Sequence, residues 1–578
     1  YNISMLNRKR TILIGFVMIA MVALALACPD NDTAPAAQGM ENAWTDSVKN
    51  PKDPDSIYPY TKHADLSPAG VAYSGYDETR SNIILKELKQ YEKQSSSDDA
   101  VFDAETALPL LVDSLLAETD QLNTQLSLLD IKYYNNANDE EIADETTELQ
   151  EKYISLTDRC LQTLRNILRG PNGDILKAEL SKDDLEALGE YEDMTKREKA
   201  LYKEENDLVQ KYDKLILNSG HLKKDHAKFT GILSDLAGIR NELAQIYGYD
   251  DFSDYAYEEI YYRDYTCGDA QALHDDVKNY IVPLYVKCTE DFYGSEVIDI
   301  FFFDDPGDEI LRNIAPYIGE IDPQLKTSFN YLRRFHMYDI DDAPTKMDVG
   351  YTTGLPAYGS PFIFNTPYRE AADYSVTIHE FGHFNAEFHK RSHALFASEG
   401  SYDIAEIQSQ GLELLFLDYY DELFGESSDV VKSETLSNML AGVVTGCMYD
   451  EFQQELFANP DMTGKEMDAL AVRLAKEYGL IEAGYTTQKS APYDWVNVSH
   501  TYESPMYYIS YATSALSALD IWAEALDDRD AAIDSYMKIS AVDPDKAYLE
   551  GLEACGLRNI FEDGSVKEIA DRIEKAID

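Results

Sequence analysis

His379-Glu380-Phe381-Gly382-His383 sets two imidazoles four residues apart, with a carboxylate beside the first. On a helix, residues i and i+4 share a face about one turn apart, so both rings can reach a single metal ion. Glu380 then points to the adjoining side, where it can act on a metal-held water rather than on the metal. A zinc hydrolase needs this arrangement: zinc lowers the pKa of its water towards 7, and the carboxylate takes the proton and passes it on. An amphipathic helix with surface histidines is the plainer alternative.

A catalytic zinc takes three protein ligands and keeps a fourth position open, so a further ligand must come from elsewhere. His389 and His393 are close in sequence. Residues 403–423 offer another source: Ile404, Ile407, Leu412, Leu415 and Phe416 form a helical stripe that also carries Glu406, Ser409, Gln410 and Glu413. A second helix with Glu406 turned inward would complete a set of two histidines and one glutamate, and Glu406 is the preferred third ligand. Ser409 and Glu413 suit groups that orient the imidazoles, because ligating histidines usually donate their other N–H to a carboxylate or carbonyl. Plain helix polarity explains them equally well.

The run DYSVTIHEFGH (373–383), followed by Glu406-Ile-Gln-Ser-Gln-Gly-Leu-Glu413, resembles the thimet oligopeptidase and oligoendopeptidase F family of zinc metallopeptidases. The resemblance implies that the HEFGH helix supplies two ligands and Glu406 the third, for one zinc per chain. Residues 504–513 (SPMYYISYAT), with His500 and Tyr502 just before them, are similar to a stretch near the family's C-terminus whose histidine and tyrosine side chains reach the scissile carbonyl. It thereby implies catalytic roles for His500, Tyr507 and Tyr508, with Tyr511 expected to be the packing residue of the group. The resemblance runs from Asp348 to Trp522. It implies short peptide substrates and a deep channel that folded proteins cannot enter.

The beginning of the chain reads differently. Arg8-Lys9-Arg10 precedes an apolar run from Thr11 to Ala27 that ends in Ala25-Leu26-Ala27-Cys28, the order of a secretory signal. Residues 1–27 are therefore expected to be a signal peptide, and Cys28 the site of lipid attachment, with a flexible tether over 28–77. The expected place is outside the cytoplasm as a cell-membrane lipoprotein held only by that anchor; simple secretion after Ala27 is the alternative. Five cysteines remain, an odd number without a C-x-x-C pair, which argues against both a disulfide framework and a thiolate zinc site. Buried free thiols are expected, although Cys267 and Cys288 could pair. The net charge of −56 repels nucleic acid and anionic headgroups, and neither is expected as a partner.

Helical periodicity dominates 78–247, with long patterns over 106–130, 145–168 and 184–217, and helices resume after Asp373. Residues 349–365 change character and predict a short strand before the metal helix. The expected fold is mainly α, a large helical zincin-like metallopeptidase with a small β-sheet beside the HExxH helix. A deep cleft is expected between a helical N-terminal part (78–347) and a catalytic part (348–578). The function expected is zinc-dependent hydrolysis of short peptides. The rival from another class is an extracellular peptide-binding lipoprotein without catalysis, which would have no need of Glu380 and would alternate strands with helices in two lobes.

Overall fold

A computed structural model describes residues 71–577, apart from 94–103, 137–138, 182–183, 186–187, 190–194, 220–221, 295–306, 344, 348, 390–394, 396–399 and 545. The expected signal peptide, Cys28 and nearly all of the tether lie outside the described residues. As expected, the fold is mainly helical with one small sheet.

After a short helix over Thr79–Leu88, two long helices, α1 (Ala104–Asn135) and α2 (Glu140–Leu168), follow in the N-terminal part. Asp139 caps α2 by accepting from the N–H groups of Glu141 and Ile142. Next come α3 (Lys196–Asn218) and α4 (Leu222–Ile246), which pack on each other. The pattern over 184–217 predicts one helix, but α3 begins only at Lys196. Thr195 and Glu198 exchange side-chain and backbone hydrogen bonds, a capping box that starts the helix there.

Buried apolar residues form two clusters. The smaller joins α1 and α2 through Leu108, Leu115, Leu161 and Leu164. The larger runs from Leu128 to Ile573 and surrounds the HEFGH helix. Helix α1 belongs to both, giving Leu126 and Leu129 to the first and Leu128 and Ile131 to the second.

Helix α5 (Pro323–Phe335) leads into the sheet. The stretch expected to be one strand is a hairpin of β2 (Gly350–Leu355) and β3 (Ser360–Asn365), with β1 (Tyr338–Asp339) added on the far side. Pro356 opens the connecting 3-10 turn, and Gly359 closes it at a left-handed φ of 58°. The order is β1-β3-β2, parallel between β1 and β3 and antiparallel between β2 and β3, with Thr352 opposite Ile363. Strand β3 is buried throughout, whereas β2 is an edge whose Gly354 carbonyl accepts a hydrogen bond from Ser127 of α1.

Beyond the sheet follow α6 (Ala372–His389), α7 (Tyr402–Leu415), α8 (Ser428–Ala458), α9 (Ile509–Ala525) and α10 (Arg529–Ser540). Helix α6 starts where it does because the Asp373 carboxylate accepts from the N–H groups of Tyr368, Arg369 and Glu370. Phe381 packs edge-on against Phe329 of α5 at 5.0 Å, a burial that stabilises by about 2 kcal/mol. Gly382 lets α6 and α7 meet backbone to backbone. A Cβ there would stand 2.6 Å from the Gln408 carbonyl oxygen and 2.7 Å from Ser409 Cα. Gly446 of α8 does the same against Ala512 of α9, where a Cβ would come within 2.8 Å of the Ala512 nitrogen.

The cysteines follow expectation: Cys160, Cys267, Cys288, Cys447 and Cys555 are all buried and free. Among the described residues no helix is long and apolar enough to cross a membrane.

Candidate active site

Helix α6 turns His379 and His383 to one side, with ring centroids 5.0 Å apart. Helix α7, brought close by Gly382, places Glu406 opposite them. Glu406 Oε2 lies 3.3 Å from His379 Nε2 and 3.5 Å from His383 Nε2. Donor atoms of these three residues all fall within 4.8 Å of one another, the one such group of metal-ligating side chains among the described residues.

Ser409 Oγ lies 3.1 Å from Glu406 Oε2 and 3.0 Å from its backbone carbonyl. Glu413 Oε2 lies 3.2 Å from His379 Nδ1, while its Oε1 accepts from Ser375 Oγ at 2.7 Å. Of the two residues singled out as orienting the imidazoles, Glu413 touches one, whereas Ser409 touches the Glu406 carboxylate instead.

Glu380 is fully buried and faces β2. Thr352 Oγ1 lies 2.8 Å from Glu380 Oε2 and 2.9 Å from the Glu380 carbonyl oxygen, and can donate to either. Glu380 Oε1 has no hydrogen-bond partner, and neither has His379 Nε2 or His383 Nε2, which only face Glu406. Burial pushes the Glu380 pKa up, against the pull of His379, His383 and the Thr352 hydroxyl. Burial pushes Glu406 up as well, but the His383 and His379 imidazoles outweigh it and hold this carboxyl well below the carboxylate range. For His379, burial alone would lower the pKa, and the Glu406 and Glu413 carboxylates push it well above the ordinary histidine value.

His389 needs its own account. It stands six residues after His383, the offset at which an extended H-E-x-x-H-x-x-G-x-x-H site takes a third histidine. Here the glycine of that pattern is Ala386, α6 runs unbroken to His389, and six residues of helix carry a side chain well over a turn onward to another face. His389 is buried with its ring edge-on to Phe388, outside the ligand group. His226, far from the ligand group in sequence, pairs with Asp468 at 2.6 Å. His393 lies outside the described residues.

The C-terminal segment gathers around His500. Its ring stacks on Tyr507 at 5.2 Å and meets Tyr508 at 5.2 Å and Tyr511 at 6.0 Å. Burial lowers the His500 pKa to about 4, so the imidazole is neutral in neutral solution. The tyrosines divide. Burial holds the Tyr507 and Tyr511 phenols well above their ordinary pKa, helped by Tyr511 and then the Glu406 charge at Tyr507, and by the Glu406 charge and then Tyr508 at Tyr511, where Tyr507 pulls the other way; Tyr508 feels burial and Tyr485 and packs on Tyr449 at 5.1 Å. Tyr511, expected to be the packing residue, has a buried hydroxyl with no hydrogen-bond partner on the Glu406 side. Tyr502 is the core residue instead: fully buried, stacked on Tyr212 at 3.9 Å, with its hydroxyl donating to the Phe229 carbonyl.

Paired helices bearing two imidazoles, an inward glutamate and a flanking carboxylate define a helical metallopeptidase of the zincin-like kind. Residues 346–539 match the model of Peptidase family M3. That match falls on the stretch whose motifs carry the resemblance read from the sequence, and the two agree. Among solved structures, an oligoendopeptidase F superposes with a TM-score of 0.70 at 20% identity, covering 89% of this chain and 98% of that one. PZ peptidase A, solved with an inhibitor, gives a TM-score of 0.70 at 19% identity over 88% and 99% of the two chains. An oligoendopeptidase F from Bacillus anthracis str. Ames gives 0.68 at 19% identity over 89% and 98%. At these identities the shared property is the fold. No curated protein sequence matches. The family implies a divalent metal, and the residues present fit one: the buried Glu380 and Glu406 carboxylates and the half-buried Glu413 surround two imidazoles whose Nε2 atoms have no hydrogen-bond partner.

Proposed function

We propose that this chain is a zinc-dependent endopeptidase that cuts short peptides. The observation that carries this reading is the ligand group of His379, His383 and Glu406 with the unpartnered Glu380 oxygen beside it. Two imidazoles and a carboxylate with one position left open is a catalytic zinc set. Bound there, the ion would polarise the scissile carbonyl and acidify a water.

The chain's own residues do the rest. Glu380 Oε1 takes the proton of the attacking water and delivers it to the leaving amine, while Thr352 holds the other oxygen. Its raised pKa brings it nearer the working pH of a base that must also act as an acid. Glu413 keeps the His379 proton on Nδ1 and leaves Nε2 as the donor. The Tyr507 and Tyr511 phenols stay protonated and donate to the carbonyl oxygen as charge develops on it. Neutral His500 stacks against Tyr507 and aims the pair.

The test is a mixed peptide library incubated with purified protein, with and without a chelator, and read by mass spectrometry. Internal cleavage of short peptides that stops with the chelator is expected. An intact library would overturn the reading, and removal of terminal residues alone would make it an exopeptidase. A place at the outer face of the cell membrane is also proposed, resting on Ala25-Leu26-Ala27-Cys28. A palmitate analogue should label the protein and fail to label Cys28→Ser; unlabelled wild type in the medium means plain secretion.

A further inference from the structure

The segment carrying Tyr507 approaches the site through a bend, not a helix. Met506 sits at a left-handed φ of 66°, which costs a residue with a Cβ and persists only where the surroundings enforce it. Three tethers, two of them buried, enforce it here. The Tyr261 hydroxyl donates to the Pro505 carbonyl at 2.9 Å, the Met506 N–H donates to Gln453 Oε1 at 2.8 Å, and an Arg263 guanidinium N–H donates to the Met506 carbonyl at 2.9 Å.

Arg263 is fully buried, and its remaining N–H groups reach further. One donates to Ser510 Oγ at 2.9 Å in the first turn of α9, and Nε donates to Asp403 Oδ2 at 3.3 Å. Asp403 lies on α7, three residues before Glu406, and its other oxygen accepts from Thr513 at 2.7 Å and Tyr265 at 3.0 Å. The rings of Tyr257 and Tyr261 lie 4.4 and 4.6 Å from the guanidinium carbon and fix its plane. One rigid cation therefore bridges the helix of Glu406 and the bend of Tyr507. A lysine there would keep the charge and lose the fork.

We propose that Arg263 is a positioning residue for catalysis: by tying Asp403 on the Glu406 helix to the Met506 carbonyl, it sets the distance between the metal site and the Tyr507 phenol. This rests on the reading of Tyr507 as a donor to the developing oxyanion. A misplacement of about 1 Å in such a donor costs up to roughly 10²-fold in rate, whereas substrate binding away from the bend is untouched.

The experiment is a double-mutant cycle on the metal-loaded enzyme with a short fluorogenic peptide, measuring kcat, KM and metal content. Arg263→Lys should lower kcat by about 10- to 100-fold, with KM within a few-fold and metal retained. In a Tyr507→Phe background the same substitution should lower kcat by less than about three-fold, because the group it positions is already gone. Equal falls in both backgrounds, loss of metal, or an unchanged kcat would each overturn the proposal. Gln453→Met removes another tether of Met506 and leaves the buried ion pair intact, so it gives the same pattern in a smaller size should Arg263→Lys fail to fold. A silent Tyr507→Phe sinks the reading of Tyr507 and the proposal with it; a large Tyr507→Phe effect with additive Arg263→Lys sinks the proposal alone.

Discussion

The two halves of the site are held in opposite ways. His379 and His383 take their separation from the pitch of one unbroken helix, and Glu406 joins them through a single close crossing at Gly382. The bend that carries Tyr507 has no internal ruler. Its peptide groups are fixed by Tyr261, Arg263 and Gln453, which lie 244, 243 and 53 residues away. The metal half is thus local in sequence and tolerant of distant change, and the tyrosine half inherits its geometry from the packing of the whole core. Substitutions should sort accordingly, the first half governing metal retention and the second turnover at full metal.

The largest effect expected is Glu406→Gln, which should strip or greatly weaken metal binding and abolish cleavage, while His389→Gln retains metal. Full metal content in the Glu406 variant would break the division at its root. Next, Tyr507→Phe or Tyr511→Phe should lower turnover by roughly 10²- to 10³-fold, about 3 to 4 kcal/mol, with metal and KM little changed. Tyr508→Phe and Tyr502→Phe should leave the turnover of folded enzyme nearly intact, and the reverse ranking would relocate the oxyanion donor. Glu413→Gln should weaken metal affinity by about 10- to 100-fold through His379, measured by competition with a chromogenic chelator; unchanged affinity would leave Glu413 a spectator.

The effect at His500 is read in stability and leaves metal binding alone. Its pKa falls from 6.5 to about 4 in the fold, so between those values the unfolded chain binds a proton that the native state refuses. Stability from this group is whole above pH 6.5 and is lost as pH falls towards 4, by about 3 kcal/mol at most. His500→Gln should flatten the acid limb of urea midpoints against pH, and identical limbs would show that His500 does not titrate this way.

The same division explains what could be read in advance. Helix periodicity and the four-residue spacing of His379 and His383 carry the metal ligands, and the polar positions of α7 lead on to Ser409 and Glu413. The strand signal over 349–365 was right in kind, but a turn opened by Pro356 and closed by Gly359 makes it a hairpin, and that hairpin delivers Thr352 to Glu380. Nothing local announces Thr352, since threonine is ordinary in a strand. Arg263 and Asp403 were equally illegible, because a buried ion pair between positions 140 apart leaves no mark on either stretch. The Glu406 charge near Tyr511 was illegible for a related reason: spacing within a helix gives its face, and the fold decides what lies opposite. Gly382 could have been read as a close crossing, being a glycine within an otherwise unbroken helix.

Glu380→Gln tests the central claim most directly, because it alters the carboxylate assigned as general base without removing a ligand. Metal content and affinity for a short peptide should match wild type while turnover falls by at least roughly 10²- to 10⁴-fold, the size of a lost general base. Near-normal cleavage by fully metal-loaded Glu380→Gln would contradict the account.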